Sequence, residues 1–504
     1  MKAGMEHVIS MEEFHSRKVE RKEAGESSRD NDQPVIVARH KLTITIQERG
    51  RTISKEEKEK FKKLKEAQAK VQLGTTPKIR EVVLMLRDHK HYQKYCEPRV
   101  VSLGPIHHGK PKYQLTEEYK LMLADKFIGK TGRTDEELYG IIKDKIKELR
   151  ECYDEKVTQK YSDEDLAWML FVDGCATLQF IDLVAHHEKV KDFKIKNDQV
   201  AFVEQDLFLL ENQLPYQLLD YLAENTQNSE DRKSLKTSIQ SFINMHSMLD
   251  EGTEPPYDGN AIHLLDLLRK RLLTPINKKY SSPSKDKSGK KRPCCFGKTV
   301  TDNHQSYKHK KKFRHDWHSF RNVQELREVG IDLKHSKSRS LREIEFTKKC
   351  NFYPGILWMP QITVDDSTGP KFFNLIAYEM CPDFDNDFGI TSYISFLDSL
   401  IDESKDVIDL RKAGILRNLL GSDEEVALVF NEIGTDLVPN PATYRDVRVK
   451  IQNYYEMKSM TWISQVIHTH FDSPWTMITF LAAFFALGLS VIQTVYSILA
   501  YYNL

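Results

Sequence analysis

Apolar residues recur at helical spacing through most of the chain. Three segments that begin at Trp168, Asp206 and His263 carry dense leucine-type faces with this period. Such spacing predicts helices that bury one face or more. On the last segment Asp266 and Lys270 lie one turn apart, and we expect an exposed ion pair worth only tenths of a kcal/mol (about 0.3).

One segment has a different period. In the sequence GILWMPQITVD (residues 355–365), alternate residues are apolar, as in a half-buried strand: Ile356, Trp358, Ile362 and Val364. Farther on, Ser422 and Glu425 have the spacing of a capping box at a helix start. The predicted fold class is therefore mainly α, a helical globular body with minor β.

The longest uncharged run lies near the C-terminus. Residues 477–500 would form a helix of about 36 Å, enough to cross a hydrocarbon core of about 30 Å. We predict a transmembrane helix over residues 476–500, with aromatic rings at both ends to mark the interfaces. Span residues include Met477, Phe480, Leu487, Gln493 and Ala500. Because few residues follow it, insertion should leave the upstream body in the cytosol. Polar residues at helical spacing on the span, Gln493 among them, could also join two copies into a homo-oligomer.

Composition shifts divide the rest of the chain. Ser54 and Glu57 form a further capping box, in the polar leader. The predicted segments are a disordered or helical leader (1–76), a first helical block (77–275), a basic disordered insert (276–320), a second block (321–457) and a juxtamembrane segment (458–475).

Charge and cysteine content narrow the class of protein. The formal charge is +1, from 75 basic and 74 acidic side chains, so no global field favours nucleic acid. Seven cysteines, an odd number without metal-type spacing, are typical of a reducing compartment. The chain lacks a signal peptide at its start and has no Asn-X-Ser/Thr acceptor. These features favour a cytosolic body anchored in a membrane, most simply the plasma membrane.

The basic insert carries thirteen lysines and arginines against two aspartates between residues 278 and 314. It could be a solvated loop, a nucleic-acid patch or a contact for anionic lipid. Beside a membrane anchor, lipid contact is favoured over nucleic acid. The candidate lipid-contact residues are Lys290, Lys291, Arg292, Cys294 and Cys295, of which the two cysteines could be palmitoylated.

Several polar residues could carry chemistry. Cys175 could act as a nucleophile with one of the histidines His107, His108, His186 or His187. A structural turn at His107–His108 and a buried structural cysteine are favoured, since no ligand set of recognisable spacing accompanies the histidines.

The carboxylates Asp206 and Glu211 could be catalytic, but carboxylates at helix ends more often cap backbone groups or pair with arginine. No nucleotide-binding, zinc-protease or hydrolase motif occurs in the chain. We therefore expect no enzyme, no cofactor and no metal.

Several segments along the chain form an ordered set: EPRVVSLGP (97–105), HHG (107–109), DGC (173–175), DLFLLENQLP (206–215), ELREVGI (325–331), NLIAYE (374–379), GSDEEVA (421–427), PW (474–475) and QTVY (493–496). In these segments the chain resembles the plant domain-of-unknown-function 247 family. The resemblance implies a plant-specific, membrane-associated protein of unassigned activity, with some relatives implicated in grass self-incompatibility. It carries over no catalytic residue.

The leading hypothesis is a membrane-anchored recognition or scaffold protein that binds an unknown protein partner. One alternative is an enzyme with a Cys175–histidine centre. Another is a protein that binds anionic lipid or nucleic acid through the basic insert.

Overall fold

The computed structural model of the chain describes residues 54–72, 78–186, 196–247, 260–274, 322–348, 354–385, 387–455 and 474–502. The chain divides into two units, residues 1–69 and 70–504. The predicted basic insert, the whole leader before Ser54 and most of the juxtamembrane segment lie outside the described residues.

The described part of the first unit is a solvated helix. Helix α1 (Lys55–Gln72) begins just after Ser54, whose hydroxyl accepts the Glu57 amide at 3.1 Å. The Glu57 carboxylate accepts the Ser54 amide in return, at 2.8 Å. The predicted capping box is confirmed, and the side chains of residues 54–66 are all exposed.

The second unit is mainly helical, which confirms the predicted fold class. Its first helices are α2 (Leu84–Arg87), α3 (Tyr92–Cys96), α4 (Gln114–Thr131), α5 (Asp135–Asp144), α6 (Ile146–Glu151), α7 (Glu155–Thr158), α8 (Asp163–Ala185), α9 (Asn197–Asp206), α10 (Tyr216–Glu224), α11 (Ser229–Met245) and α12 (Leu264–Leu273). Later helices are α13 (Val323–Glu328), α14 (Thr368–Glu379), α15 (Gly389–Asp398), α16 (Ser404–Lys412), α17 (Asp423–Ile433), α18 (Arg445–Tyr455) and α19 (Pro474–Tyr502). Short 3-10 helices lie at Pro111–Tyr113 and Leu210–Asn212.

Helix α8 lies at the centre of the first block. Ser162 caps it by accepting the Asp165 amide. Three acidic residues in its first turn stabilise the helix, because their negative charges lie at the positive end of the helix dipole. Beyond that turn nearly every side chain is buried, because α4, α5, α10 and α11 pack around it. Gly174 lies in mid-helix, where an added Cβ would come within 2.7 Å of Leu222. Its role is therefore close helix packing beside Cys175.

Two small sheets lie in the second block. Their strands are β1 (Ile331–His335), β2 (Glu345–Thr347), β3 (Gly355–Met359), β4 (Ile362–Val364) and β5 (Leu416–Asn418). Strand β3 pairs in parallel with β1 and antiparallel with β2, and β4 pairs in parallel with β5.

The prediction of a single alternating strand over residues 355–365 was wrong. Pro360 has no N–H for a ladder, and it separates β3 from β4. In β3 the buried residues include Leu357 and Met359, whereas the predicted inward residues Ile356 and Trp358 are half-exposed. The predicted inward residues of β4 are buried.

A further correction concerns Asp266 and Lys270. Asp266 is buried, and it accepts the Ile262 amide at 3.0 Å while Lys270 Nζ lies 3.2 Å from its carboxylate. Helix α12 packs against α11, α14 and α15, and this packing removes the carboxylate from water. The aspartate of the pair is buried and the lysine is half-buried, so the pair is not the exposed one that helical spacing predicted.

One hydrophobic core runs through both blocks, from Ile79 to Tyr454. Asn374 on α14 connects the blocks, because its Oδ1 accepts the Leu210 amide at 2.8 Å and its Nδ2 donates to the Tyr95 carbonyl at 2.7 Å. These contacts fix α14 against the residues between α9 and α10.

Candidate functional site

The C-terminal helix α19 is the first candidate functional element. Residues 478–500 have a mean hydropathy of 2.0, and none of them is buried. The predicted span residues Met477, Phe480, Leu487, Gln493 and Ala500 all lie on this helix. Length, composition and exposure are those that a membrane span requires.

Helix α8 meets the same hydropathy criterion and yet has a different environment. Its most apolar 18-residue stretch has a mean hydropathy of 1.4, but 89% of that stretch is buried inside the protein. It is therefore a core helix, whereas no residue of α19 between 478 and 500 is buried.

The predicted lipid-contact residues cannot be placed beside α19. Lys290, Lys291, Arg292, Cys294 and Cys295 all lie outside the described residues. Lipid contact at the basic insert therefore stays a prediction.

The polar residues singled out in the first block surround one extended segment, residues 99–104. Asp206 accepts the backbone amides of Arg99 at 2.8 Å, Val100 at 2.7 Å and Val101 at 2.9 Å. Burial raises the pKa of Asp206, although the three N–H donors oppose the shift. These contacts confirm a structural role for this carboxylate.

Two other buried side chains hold the same segment. Asn212 accepts the Leu103 amide at 2.7 Å, and Asp173 accepts the Gly104 amide at 2.8 Å. We refer to Asp173, Asp206 and Asn212 as the backbone clasp. It satisfies the amides of a segment that has no strand partner of its own.

Lys120 on α4 balances the charge of the clasp. Its Nζ lies 2.7 Å from Asp173 Oδ1 and 2.8 Å from Glu117 Oε1, and it donates to the Ser102 carbonyl at 2.9 Å. Burial acts to lower the pKa of Lys120, but Asp173 and Glu117 raise it overall. Sequence reasoning missed Lys120 because its main partner lies 53 residues away.

Glu211 and His107, both picked from the sequence, do meet in the structure. His107 Nε2 lies 3.3 Å from Glu211 Oε2, and both side chains are 3% exposed. Glu211 also accepts the Val82 amide at 2.8 Å and the Tyr92 hydroxyl at 3.1 Å. Burial acts to raise the pKa of Glu211, but the neighbouring imidazole and the amide lower it overall.

The paired histidines lie in the predicted turn, and their rings contact different groups. His107 Nδ1 is 2.8 Å from Lys110 Nζ, whereas the His108 ring packs edge-on against Tyr161. Across the described residues, no group of three or more histidine, cysteine or acidic side chains is placed to hold a metal ion.

Cys175 lies within α8 and is fully buried. Burial raises the pKa of its thiol, the opposite of what a nucleophilic cysteine requires. His186 ends α8 as an exposed residue beside Asp182, and His187 is outside the described residues. Within the described chain no hydrogen bond joins Cys175 to a histidine, so the geometry gives no support to the Cys175–histidine alternative.

A buried basic cluster escaped the sequence reasoning entirely. Lys371 Nζ on α14 lies 3.2 Å from His246 Nδ1, and His246 Nε2 lies 3.9 Å from Glu204. Burial lowers the pKa of Lys371 to about 8, against the charges of Asp365 and Glu204. These residues come from distant parts of the chain, so no local motif could have marked them.

The chain matches a known family over most of its length. The family model DUF247, described as plant protein of unknown function, matches residues 79–489. The chain belongs to the DUF247 family. The match spans the residues of the clasp in this DUF247 protein and ends inside α19.

Two curated relatives come from Arabidopsis thaliana. A UPF0481 protein is 28% identical over 431 residues, which cover 81% of this chain and 84% of the relative. A putative UPF0481 protein is 21% identical over 476 residues, with 79% and 86% covered. No solved structure matches the DUF247 chain significantly.

Proposed function

We propose that this DUF247 protein is a membrane-anchored, non-enzymatic recognition or scaffold protein, held in the bilayer by α19. The observation that carries the proposal is the uncharged helix over residues 478–500, which is exposed along its whole length. Exposing such an apolar surface to water is unfavourable. In hydrocarbon, the helix satisfies its own backbone hydrogen bonds and its apolar side chains contact apolar lipid chains.

Membrane retention tests the anchor. The full chain should remain in the membrane pellet after alkaline carbonate extraction, and a chain lacking residues 474–504 should be released. In the double variant Phe484→Arg/Leu487→Arg, each arginine raises the free energy of membrane insertion by about 2.5–3.5 kcal/mol, so this variant should also be released. Leu419→Arg/Leu428→Arg, at two exposed leucines of the body, is the matched control and should stay in the pellet. A wild-type chain in the soluble fraction would overturn the proposal.

We place the body on the cytosolic side, at the plasma membrane. The described cysteines Cys96, Cys152, Cys175 and Cys381 are all free thiols, as suits a reducing compartment. Protease added to sealed vesicles with the cytosolic face outward should digest the body, and a fluorescent fusion should coincide with a plasma-membrane marker. Protection of the body would reverse the orientation.

A protein partner is part of the proposal, because Asp206 and Glu211, the carboxylates considered for catalysis, accept backbone amides in the structure. Proximity labelling from the full chain, compared with the chain lacking residues 474–504, should identify proteins specific to the anchored form. Reproducible turnover by the full chain that is lost in Cys175→Ser or His107→Ala would favour the enzyme alternative instead.

The basic insert and the span supply two further parts of the proposal. Deletion of residues 278–314 should weaken salt-dependent retention on anionic liposomes if Lys290, Lys291 and Arg292 contact lipid, and should leave nucleic-acid retention unchanged.

Gln493→Leu should reduce cross-linking between copies if the span joins them.

A further inference from the structure

A cavity of about 230 Å³ lies in the first block, between α4, α8, α9 and the extended segment 99–103. Its buried walls are apolar, formed by Val101, Leu103, Leu123, Phe180 and Leu207. It is separate from α19 and from the Glu211–His107 pair. Apolar walls with a few polar groups are the usual composition of a small-molecule site.

The backbone clasp fixes one wall of this cavity. Asp206 occupies the amides of Arg99, Val100 and Val101, and Thr116 donates to the Val100 carbonyl. The backbone groups of this wall are therefore satisfied before anything enters. A wall held in this way lowers the ordering cost of binding.

The charged side chains that line the cavity are all basic. Arg99 and Lys112 are exposed and line it, and no aspartate or glutamate does. The third basic residue, Lys120, is buried and already bound to Asp173 and Glu117. The two exposed cations make the rim complementary to an anion.

Thr177 contributes an unsatisfied polar group. It lines the cavity, it is 3% exposed, and its hydroxyl has no hydrogen-bond partner among the described residues. Most buried hydroxyls in folded proteins are paired. An occupant with a hydrogen-bonding atom next to this hydroxyl would supply the missing partner.

The volume limits the size of the occupant. A cavity of about 150 Å³ holds benzene, so 230 Å³ admits a single ring with a short side chain. Tyr119 and Phe180 offer aromatic surface to such a ring. We propose that this cavity binds a compact aryl carboxylate, with the ring against the apolar walls, the carboxylate on Arg99 and Lys112, and a ring hydroxyl on Thr177.

Three commercial probes test the proposal by saturation-transfer NMR on the full chain in detergent, with detergent alone as the blank. They are 3-(4-hydroxyphenyl)propionate, 3-phenylpropionate and 3-phenylpropionamide. The phenol should bind about fivefold tighter than 3-phenylpropionate, as one added hydrogen bond predicts. The carboxylate should bind about threefold tighter than the amide, the gain expected of partly exposed ion pairs. Equal binding of carboxylate and amide, or no saturation transfer from any probe, would overturn the proposal.

Variants locate the binding. Val203→Trp, at a half-buried cavity residue, should abolish binding of all three probes. Arg99→Gln should remove most of the preference for carboxylate over amide, whereas Arg417→Gln, at an exposed arginine of β5, should keep it. Thr177→Val removes a hydroxyl without changing side-chain size, so the variant protein should fold. It should lose only the preference for 3-(4-hydroxyphenyl)propionate over 3-phenylpropionate. Wild-type binding by Val203→Trp, or an undiminished phenol preference in Thr177→Val, would contradict the assignment.

Discussion

Arg269 and Glu379 form a buried ion pair, with Arg269 Nη2 2.8 Å from Glu379 Oε1. The pair joins α12 to α14. In the sequence, α12 precedes the predicted basic insert and α14 follows it. Glu379 also accepts the amides of Ile390 and Thr391, at 2.9 Å and 2.8 Å. One carboxylate therefore fixes α12, α14 and the start of α15 together.

Breaking this pair should destabilise the protein strongly. Arg269→Met leaves the Glu379 carboxylate buried without its cation, and we expect a loss of about 3–5 kcal/mol in the free energy of unfolding. Lys412→Met removes an exposed lysine from Asp409, which keeps Arg327 as a partner, and should cost under about 1 kcal/mol. Denaturant titration followed by tryptophan fluorescence compares the two variants. Similar losses in both would show that the buried pair is not a major connection.

Asp206→Asn should loosen the extended segment 99–104. The asparagine can accept fewer of the three amide hydrogens and directs an NH₂ group toward a donor, so we expect a loss of about 1–3 kcal/mol. Hydrogen exchange at Arg99, Val100 and Val101 should rise more than exchange in α14. Unchanged protection of these three amides would contradict the clasp.

Gly174→Ala should destabilise although alanine is the better helix former. Its Cβ would lie 2.7 Å from Leu222 and 3.2 Å from Leu218, an overpacking expected to cost about 1–3 kcal/mol. Gly140 is the matched control, since it lies in α5 with nothing within 4 Å of an added Cβ. Gly140→Ala should therefore stabilise by up to about 1 kcal/mol. Melting temperatures that shift in the same direction for both variants would contradict this reading.

Lys371 should make stability depend on pH in the alkaline range. The unfolded chain keeps the lysine proton up to about pH 10.5, whereas the folded chain releases it near the lowered pKa of about 8. The unfolded state thus binds more protons between these values, and wild-type stability should rise with pH there relative to Lys371→Met. At pH 7 we expect the methionine variant to be the more stable by about 2 kcal/mol.

Denaturant titrations at pH 7, 8, 9 and 10 check this dependence. The difference between wild type and Lys371→Met should narrow as the pH rises from 8. Lys233→Met, at an exposed lysine of α11, should show no such trend. A difference that stays constant with pH would mean that Lys371 does not lose its proton in this range.

Cys175 should resist thiol reagents while the protein is folded. Its side chain is fully buried and burial raises its pKa, so little thiolate is accessible. Iodoacetamide at pH 8 should label Cys152, which is partly exposed, before Cys175, as measured by peptide mass spectrometry. Rapid labelling of Cys175 in the native state would revive the enzyme alternative.

Local patterns predicted the local features of this fold well. Helical spacing and the capping pair Ser54–Glu57 depend on residues within one or two turns, and these predictions are confirmed. At the second predicted capping box Ser422 accepts the Glu425 amide as expected, but the Glu425 carboxylate accepts Gly421 rather than Ser422. The predicted start of the helix is confirmed, and the Glu425 carboxylate binds the backbone amide one residue before the predicted one.

Features that depend on distant neighbours could not be predicted. Glu211 receives the amide of Val82 from 129 residues away, and no spacing rule connects them. Asp266 looked exposed because its own helix is charged, yet packing by other elements buries it. The cavity likewise requires α4, α8 and α9 together, so its residues carried no signal along the chain.

Asp173 also has a consequence for biogenesis. During synthesis α8 emerges before α10 and α11 exist to cover it, as a 23-residue helix that contains an 18-residue stretch of mean hydropathy 1.4. Such a nascent segment resembles a substrate of the membrane-insertion machinery. An aspartate near the middle of an inserting helix costs about 2.5–3.5 kcal/mol, and Asp173 occupies that position in α8. The carboxylate that binds Gly104 in the folded protein thereby disfavours insertion of α8 and leaves α19 as the better substrate.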